Sequence, residues 1–186
     1  MTYGEYRRTK PRLNILRGWA GNEPQSLTFS AKPKLNVNIY SGQLIIPDPT
    51  DSTQWILCDS DEVTHKNVVP YFAYSDAIWV NGRLQTDTDV GSSGLLLGLS
   101  CLGDFEIQTA YFDTNDTWKN GDPVIKSATA GSVDQGASFL SAVETIGVVT
   151  RGGMEDIAKI NSEATPDNTG KVYMLNIALH WKPAQS

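Results

Sequence analysis

This chain carries few of the residues that most chemistry needs. Its 186 residues include two histidines, His65 and His180, and two cysteines, Cys58 and Cys101. The histidines are far apart, and no nearby pair of cysteines or carboxylates gives structural-zinc spacing. His180 falls on the outward face of the last predicted strand and His65 in the polar stretch 59–67, so both read as solvent-facing. There is no Gly-x-Ser-x-Gly, no phosphate loop and no dinucleotide-binding turn. Gly91-Ser92-Ser93-Gly94 is flexible but lacks the lysine and following helix of a phosphate loop. The cysteines lie in or beside the apolar stretches Trp55–Leu57 and Leu95–Leu102, which reads as buried free thiols and excludes a disulfide-stapled scaffold. No apolar run approaches the ~20 residues that span a bilayer. Met1–Lys10 leads into Pro11 and not into an apolar stretch, so no secretory leader is expected and no membrane partner is implied.

What is present is an uneven charge distribution. The formal net charge is −6, yet residues 1–17 hold Arg7, Arg8, Lys10, Arg12 and Arg17 against Glu5 alone, a local +4 that leaves −10 on the remainder. An acidic body repels a nucleic-acid backbone, which argues against nucleic acid as the partner. Residues 1–34 are interrupted by Pro11, Pro24 and Pro33 and loosened by Gly18 and Gly21, with isolated apolar anchors at Leu13, Ile15, Leu16 and Trp19. This predicts an extended basic arm over 1–34 that docks on a neighbour. Its apolar anchors enter pockets, and Arg7, Arg8, Arg12 and Arg17 face acidic patches. Residues 35–186 then form a single β-rich domain.

Within that domain the dominant signal is a two-residue period between tight turns. Leu35, Val37 and Ile39 alternate with Asn36, Asn38 and Tyr40; Leu44–Ile46 and Trp55–Cys58 are short apolar runs. Asn81-Gly82 and Asn120-Gly121 are pairs that tolerate the positive φ of hairpin loops, and Gly131 marks a further reversal. Leu95–Leu102, bounded by Gly94 and Gly103, predicts a central strand buried on both faces. Phe105, Ile107 and Thr109 alternate with Glu106 and Gln108, predicting a half-buried strand with a wet acidic face. Thr145–Thr150 and Val172–Trp181 complete the set, with Leu96, Leu99, Phe105, Ile107, Val148, Leu175 and Ile177 as expected core. Met154–Asn161 and Gln135–Glu144 are the candidate helices. The predicted fold is all-β: a small barrel or sandwich of short, mostly antiparallel strands with one or two short helices and the N-terminal arm.

The acidic turns Asp59–Glu62, Asp87–Asp89 and Asp113–Asp116 lack the central glycine and the closing glutamate of a calcium loop, and read as turns whose Asp and Asn side chains satisfy local backbone. Asp104 and Glu106 could form a glycosidase pair, but their spacing also fits a wet strand face. Five tryptophans, with Trp79, Trp118 and Trp181 the best placed, allow a carbohydrate-binding module. No catalytic, metal-binding or cofactor-binding residue is assigned.

Gly103-Asp104-Phe105-Glu106-Ile107-Gln108-Thr109, then Tyr111-Phe112-Asp113, Trp118-Lys119-Asn120-Gly121-Asp122-Pro123-Val124, the Gly131 turn and Ile146-Gly147-Val148-Val149-Thr150 together resemble the head decoration, or cement, proteins of tailed bacteriophages. The resemblance implies a non-enzymatic virion protein made in the host cytoplasm. It also implies a homotrimer on the outer capsid surface that holds neighbouring major capsid subunits together, with no cofactor. A tail or baseplate component is the alternative within structural proteins.

Overall fold

A computed structural model describes residues 13–17, 28–61, 63–86, 95–103, 105–113, 116, 118–137, 143–158 and 171–185. In chain order the strands are β1 (Asn14–Arg17), β2 (Thr28–Pro33), β3 (Leu44–Asp48), β4 (Asp51–Leu57), β5 (Tyr71–Ala73), β6 (Ala77–Val80), β7 (Arg83–Thr86), β8 (Leu96–Ser100), β9 (Glu106–Thr109), β10 (Pro123–Lys126), β11 (Val133–Gln135), β12 (Thr145–Ala158) and β13 (Lys171–Lys182). They make a closed barrel, β2-β4-β3-β5-β8, a six-stranded sheet, β1-β9-β13-β12-β10-β11, and a β6-β7 ribbon. The protein is all-β, and among the described residues there is no helix. Met154–Ala158 is strand and Gln135 ends β11, so neither helix expectation holds there. Pairing with β13 decides the state of Met154–Ala158, overriding a weak helical pattern.

The barrel fills itself. Ala31, Trp55, Ile45, Ala73 and Leu96, one residue from each of its strands, form one buried cluster. A five-stranded barrel is narrow, and its interior works because small residues face one large one. Trp55 is fully buried and its indole N–H donates to the Leu96 carbonyl at 2.9 Å. Gly98 leaves room for it, since a Cβ there would stand 2.7 Å from the Trp55 ring. Phe29 and Tyr71 meet the same indole edge-on, with centroids 5.1 and 5.0 Å away. One parallel pair, β2 with β4, closes the ring; the other barrel pairs are antiparallel.

The opposite sides of β3, β5 and β8 present Leu44, Ile46, Phe72 and Leu99 to Phe105, Ile107, Val124, Val149, Leu175 and Ile177 of the sheet, and these form a second core. Backbone hydrogen bonds stitch the two parts. Leu44 N–H donates to the Gly131 carbonyl, Gly131 N–H to the Cys58 carbonyl, and Trp181 N–H to the Cys101 carbonyl. Of the expected core residues only Val148 is incompletely buried.

Several local expectations change. Leu35–Ile39 is not a strand: Asn36 adopts φ 65°, the Val37 N–H donates to the Lys34 carbonyl, and Leu35 is exposed. Asn81-Gly82 is the two-residue hairpin expected, with φ of 49° and 73° joining β6 to β7. Gly121 has φ +91°, but Asn120 does not share the left-handed region. The 119–122 turn therefore has type II character, and it pairs with Val149 of β12 without joining two neighbouring strands. Glu106 and Gln108 are buried, so β9 is covered on both faces and has no wet side.

The boundary expected at residue 34 falls inside the barrel, since β2 pairs with β4 and β8. β1 lies on the edge of the sheet, against β9 of the same chain.

Candidate functional site

The residues expected at a docking interface divide into two groups. Leu13 is buried in the shared core and its N–H donates to Ser41 Oγ at 2.9 Å. Ile15 packs against that core, Leu16 is half-buried, and the backbone of Arg17 pairs with Glu106. Arg7, Arg8, Arg12 and Trp19 lie outside the described residues, as does Asp104 of the proposed carboxylate pair. Glu106 accepts a hydrogen bond from Thr150 Oγ1 at 2.9 Å.

The structure instead gathers polar groups between the barrel and the end of β13. Lys126, the last residue of β10, is buried, and its ammonium donates to the carbonyls of His65 (2.5 Å) and Val68 (3.0 Å) and to Glu144 Oε1 (2.7 Å). Three acceptors use all three ammonium hydrogens, which makes Lys126 an anchor and leaves nothing for nucleophilic work. Glu144 also accepts from the Trp181 indole N–H (2.7 Å) and from the Asn67 N–H (3.0 Å). Asn67, at φ 57°, exchanges hydrogen bonds with the backbone of Ala184. His65 is buried and not solvated: its Nδ1 lies 2.5 Å from the Asp59 carboxylate. The loop 59–69 is thereby fastened to β10, to the residue before β12 and to the tail of β13. Beside this clasp is a cleft of ≈200 Å³ with Ile125, Val143 and Ala184 as its apolar lining and Ser60, Asp61 and Lys66 as polar lining.

Both cysteines are buried. Both are free thiols; burial pushes Cys58 up to about 12 and Cys101 well above its usual value. A thiol held protonated is a poor nucleophile at neutral pH.

The second gathering is acidic. Asp113, Asp116 and Asp134 each bring one carboxylate oxygen within 4.8 Å of the others. Partial burial, a hydrogen bond with Asp134 and repulsion from Asp134 and Asp113 raise the pKa of Asp116. Three hard oxygen donors are half of the smallest calcium shell, so a cation here needs water or further chain to complete it. Asp113 and Asp116 stood out in sequence, whereas Asp134 joins them through the bridge between Phe112 and Val133. Of the other two acidic turns, Asp87–Asp89 lies outside the described residues, and the first behaves as expected: Asp61 accepts from the Val63 N–H and Thr64 Oγ1, and Asp59 from the Asp61 N–H.

The tryptophans are mostly engaged. Trp118 is buried, donates to the Asp113 carbonyl and stacks edge-on against Phe112. Trp181 is tied to Glu144, and Trp79 is half-buried. Scans against protein-family models and searches of curated proteins and solved structures return no match to this chain.

Proposed function

We propose that this protein is a structural component of a tailed-phage head. In this reading it binds the outer capsid surface, most simply as a homotrimer, and stabilises contacts between major capsid subunits. The observation that carries the reading is the placement of Phe105–Thr150. That segment bears the resemblance to cement proteins, and it supplies β9, which lies beside the edge strand β1, and the run of the first part of β12, β10 and β11 that ends at the other edge, with β13 between the two parts. An edge strand is a template for pairing with another chain, and symmetric association is the ordinary way to cover it. The polar groups brought together in the fold support a non-catalytic role, because Lys126, Glu144, His65 and Asp59 are occupied in holding loops.

Purified particles from the source provide the test. The protein is expected in the head fraction at hundreds of copies per particle; its absence from virions overturns the proposal. A few copies, in tail fractions, assign it to the tail or baseplate. A carbohydrate-binding module is the weaker reading, since a sugar platform needs exposed indole faces and Trp118 and Trp181 are committed to internal contacts.

A further inference from the structure

The loop between β4 and β5 is fastened at more points than a plain connection needs. Ser60 N–H donates to the Ser127 carbonyl at 2.9 Å, and His65 N–H to the Asp61 carbonyl at 3.0 Å. The carbonyls of His65 and Val68 hold the Lys126 ammonium, and Asn67 is tied to Glu144 and to Ala184. Within this frame the Asp61 carboxylate accepts from the Val63 N–H at 2.8 Å and from Thr64 Oγ1 at 2.9 Å, which fixes the turn at the loop tip. That turn displays Val63, 91% exposed, the most exposed large apolar residue among the described ones. A lone surface valine carries no message. A valine held out by a braced turn differs, because its backbone is already ordered in the monomer and little freedom remains to be lost on contact.

The same loop borders the ≈200 Å³ cleft, to which it contributes Asp61 and Lys66 beside the apolar Ile125, Val143 and Ala184. That volume is below the range of drug-sized ligand sites and suits a single aliphatic side chain. The buried polar groups at the cleft are committed, since Lys126 has three acceptors and Glu144 accepts from Lys126, Trp181 and Asn67. What the cleft offers an occupant is apolar surface with one acid and one base at its border. Asp61 is anionic at neutral pH, because the bonds from Val63 and Thr64 hold its pKa below the usual carboxylate value. An apolar knob, an apolar hole and two opposite charges thus belong to one patch. A patch that carries both halves of each contact is self-complementary, the requirement for pairing about a twofold axis.

We propose that a second copy of this chain docks on this patch, with Val63 of each copy in the cleft of the other and Asp61 facing the partner's Lys66. The braced loop then has a use beyond closing the fold: it presents the knob at a fixed place beside the hole. The patch is separate from the sheet edge at β1, since the loop follows β4 of the barrel. The contact joins copies in pairs, and it depends neither on capsid binding nor on a threefold. Its apolar part is small and its charged part is screened by salt, so the association is weak and concentration-dependent.

Analytical ultracentrifugation of the full chain over a concentration series, at low and high salt, tests the proposal. The wild-type chain is expected to approach an even number of copies: a pair, or a pair of trimers where a threefold also forms in solution. Val63→Asp puts a carboxylate into the apolar cleft and should halve that number. Its site is exposed, so the far-UV circular dichroism should match the parent. Mixing a Val63→Cys chain with an Ala184→Cys chain under mild oxidation supplies a second readout, because a 63–184 disulfide then joins two molecules by construction. Peptide mapping by mass spectrometry is expected to find that linkage and distinguishes it from linkages to Cys58 or Cys101. A monomer at every attainable concentration, a mass that Val63→Asp leaves unchanged, or absence of the 63–184 linkage overturns the contact. A trimer that keeps its full mass in Val63→Asp overturns it too, and leaves the capsid reading standing.

Discussion

The barrel closes on itself, so each of its five strands has a neighbour on both sides, whereas the six-stranded sheet ends at β1 and β11 and carries a hairpin with a broken ladder. The barrel interior is a plug of one indole among small and aliphatic side chains. The sheet buries Glu106, Gln108 and Asn176 as well as its apolar face. Closure leaves no backbone edge to be satisfied or defended, and the polar groups the barrel strands do bury, Asp48 and Ser100, stand at strand ends. The open sheet keeps edges and polar residues, and it is the part that contains the proposed capsid-binding segment. On the proposed function, the first region is scaffold and the second carries the docking surface.

Trp55→Ala tests the scaffold side of this contrast most severely. It empties the barrel interior and leaves the Leu96 carbonyl without its indole donor, so urea unfolding should show a loss of about 3–5 kcal/mol. A loss under 1 kcal/mol would mean that the sheet, not the plug, holds the barrel together. Next comes the clasp at the junction. Glu144→Gln removes the charge opposite the buried Lys126 ammonium and should cost about 3 kcal/mol. Replacing both at once, Lys126→Met with Glu144→Leu, should recover much of that, because no charge is then left uncompensated.

A smaller effect is expected at Gly121→Val, where φ of +91° strains a β-branched residue but no atom lies within 4 Å of the new Cβ. The cost is about 1–2 kcal/mol, from backbone conformation alone. The smallest effects are in pH dependence, and the two regions differ in sign. In the barrel hairpin, Asp48 is held down at about 2 by hydrogen bonds from Lys34, 2.6 Å away, and from Thr50. Its contribution is present above the ordinary value of 3.8 and is lost as pH falls from there towards about 2. Asp116 is raised above 3.8, so the folded form binds the extra proton and stability declines as pH rises from 3.8 through its folded value. Asp48→Asn should flatten the acid limb of a stability-versus-pH curve. Asp134→Asn should make the protein more stable than the parent at neutral pH, by relieving Asp116 of a like charge. The same sign from both variants would dissolve the contrast.

Local chemistry was legible in the sequence wherever one residue decides the outcome. Asn81-Gly82 specified its hairpin, because backbone tolerance is a property of the residue itself. The stretch Leu95–Leu102 contains a strand as expected, but it is not buried throughout, since Leu97 is half-buried and Leu102 exposed. Most of the core followed from two-residue alternation. What alternation could not reveal was which strands are covered on both sides. Glu106 looked wet because its neighbours in sequence alternate, yet it is buried and accepts a hydrogen bond from Thr150 Oγ1, forty-four residues on. The clasp was hidden for the same reason: Lys126 and Glu144 are single charges eighteen residues apart, and His65, Asn67 and Trp181 join them only when loop, β10 and β13 converge. The early strands were misjudged because prolines at 11, 24 and 33 suggested a detached arm, although Pro33 ends a strand that closes the barrel.

The position of β13 bears on how the molecule is made. Among the described residues it is the last strand in chain order, yet it lies inside the sheet between β9 and β12. Until Lys171–Lys182 has been synthesised, the inner backbone groups of both neighbours have no ladder to join. Such late, distant pairing slows folding and leaves two sticky edges exposed during synthesis. The barrel, complete once Ser100 is made, can form early and hold those edges close together. Completion of the six-stranded sheet is therefore timed by the arrival of β13.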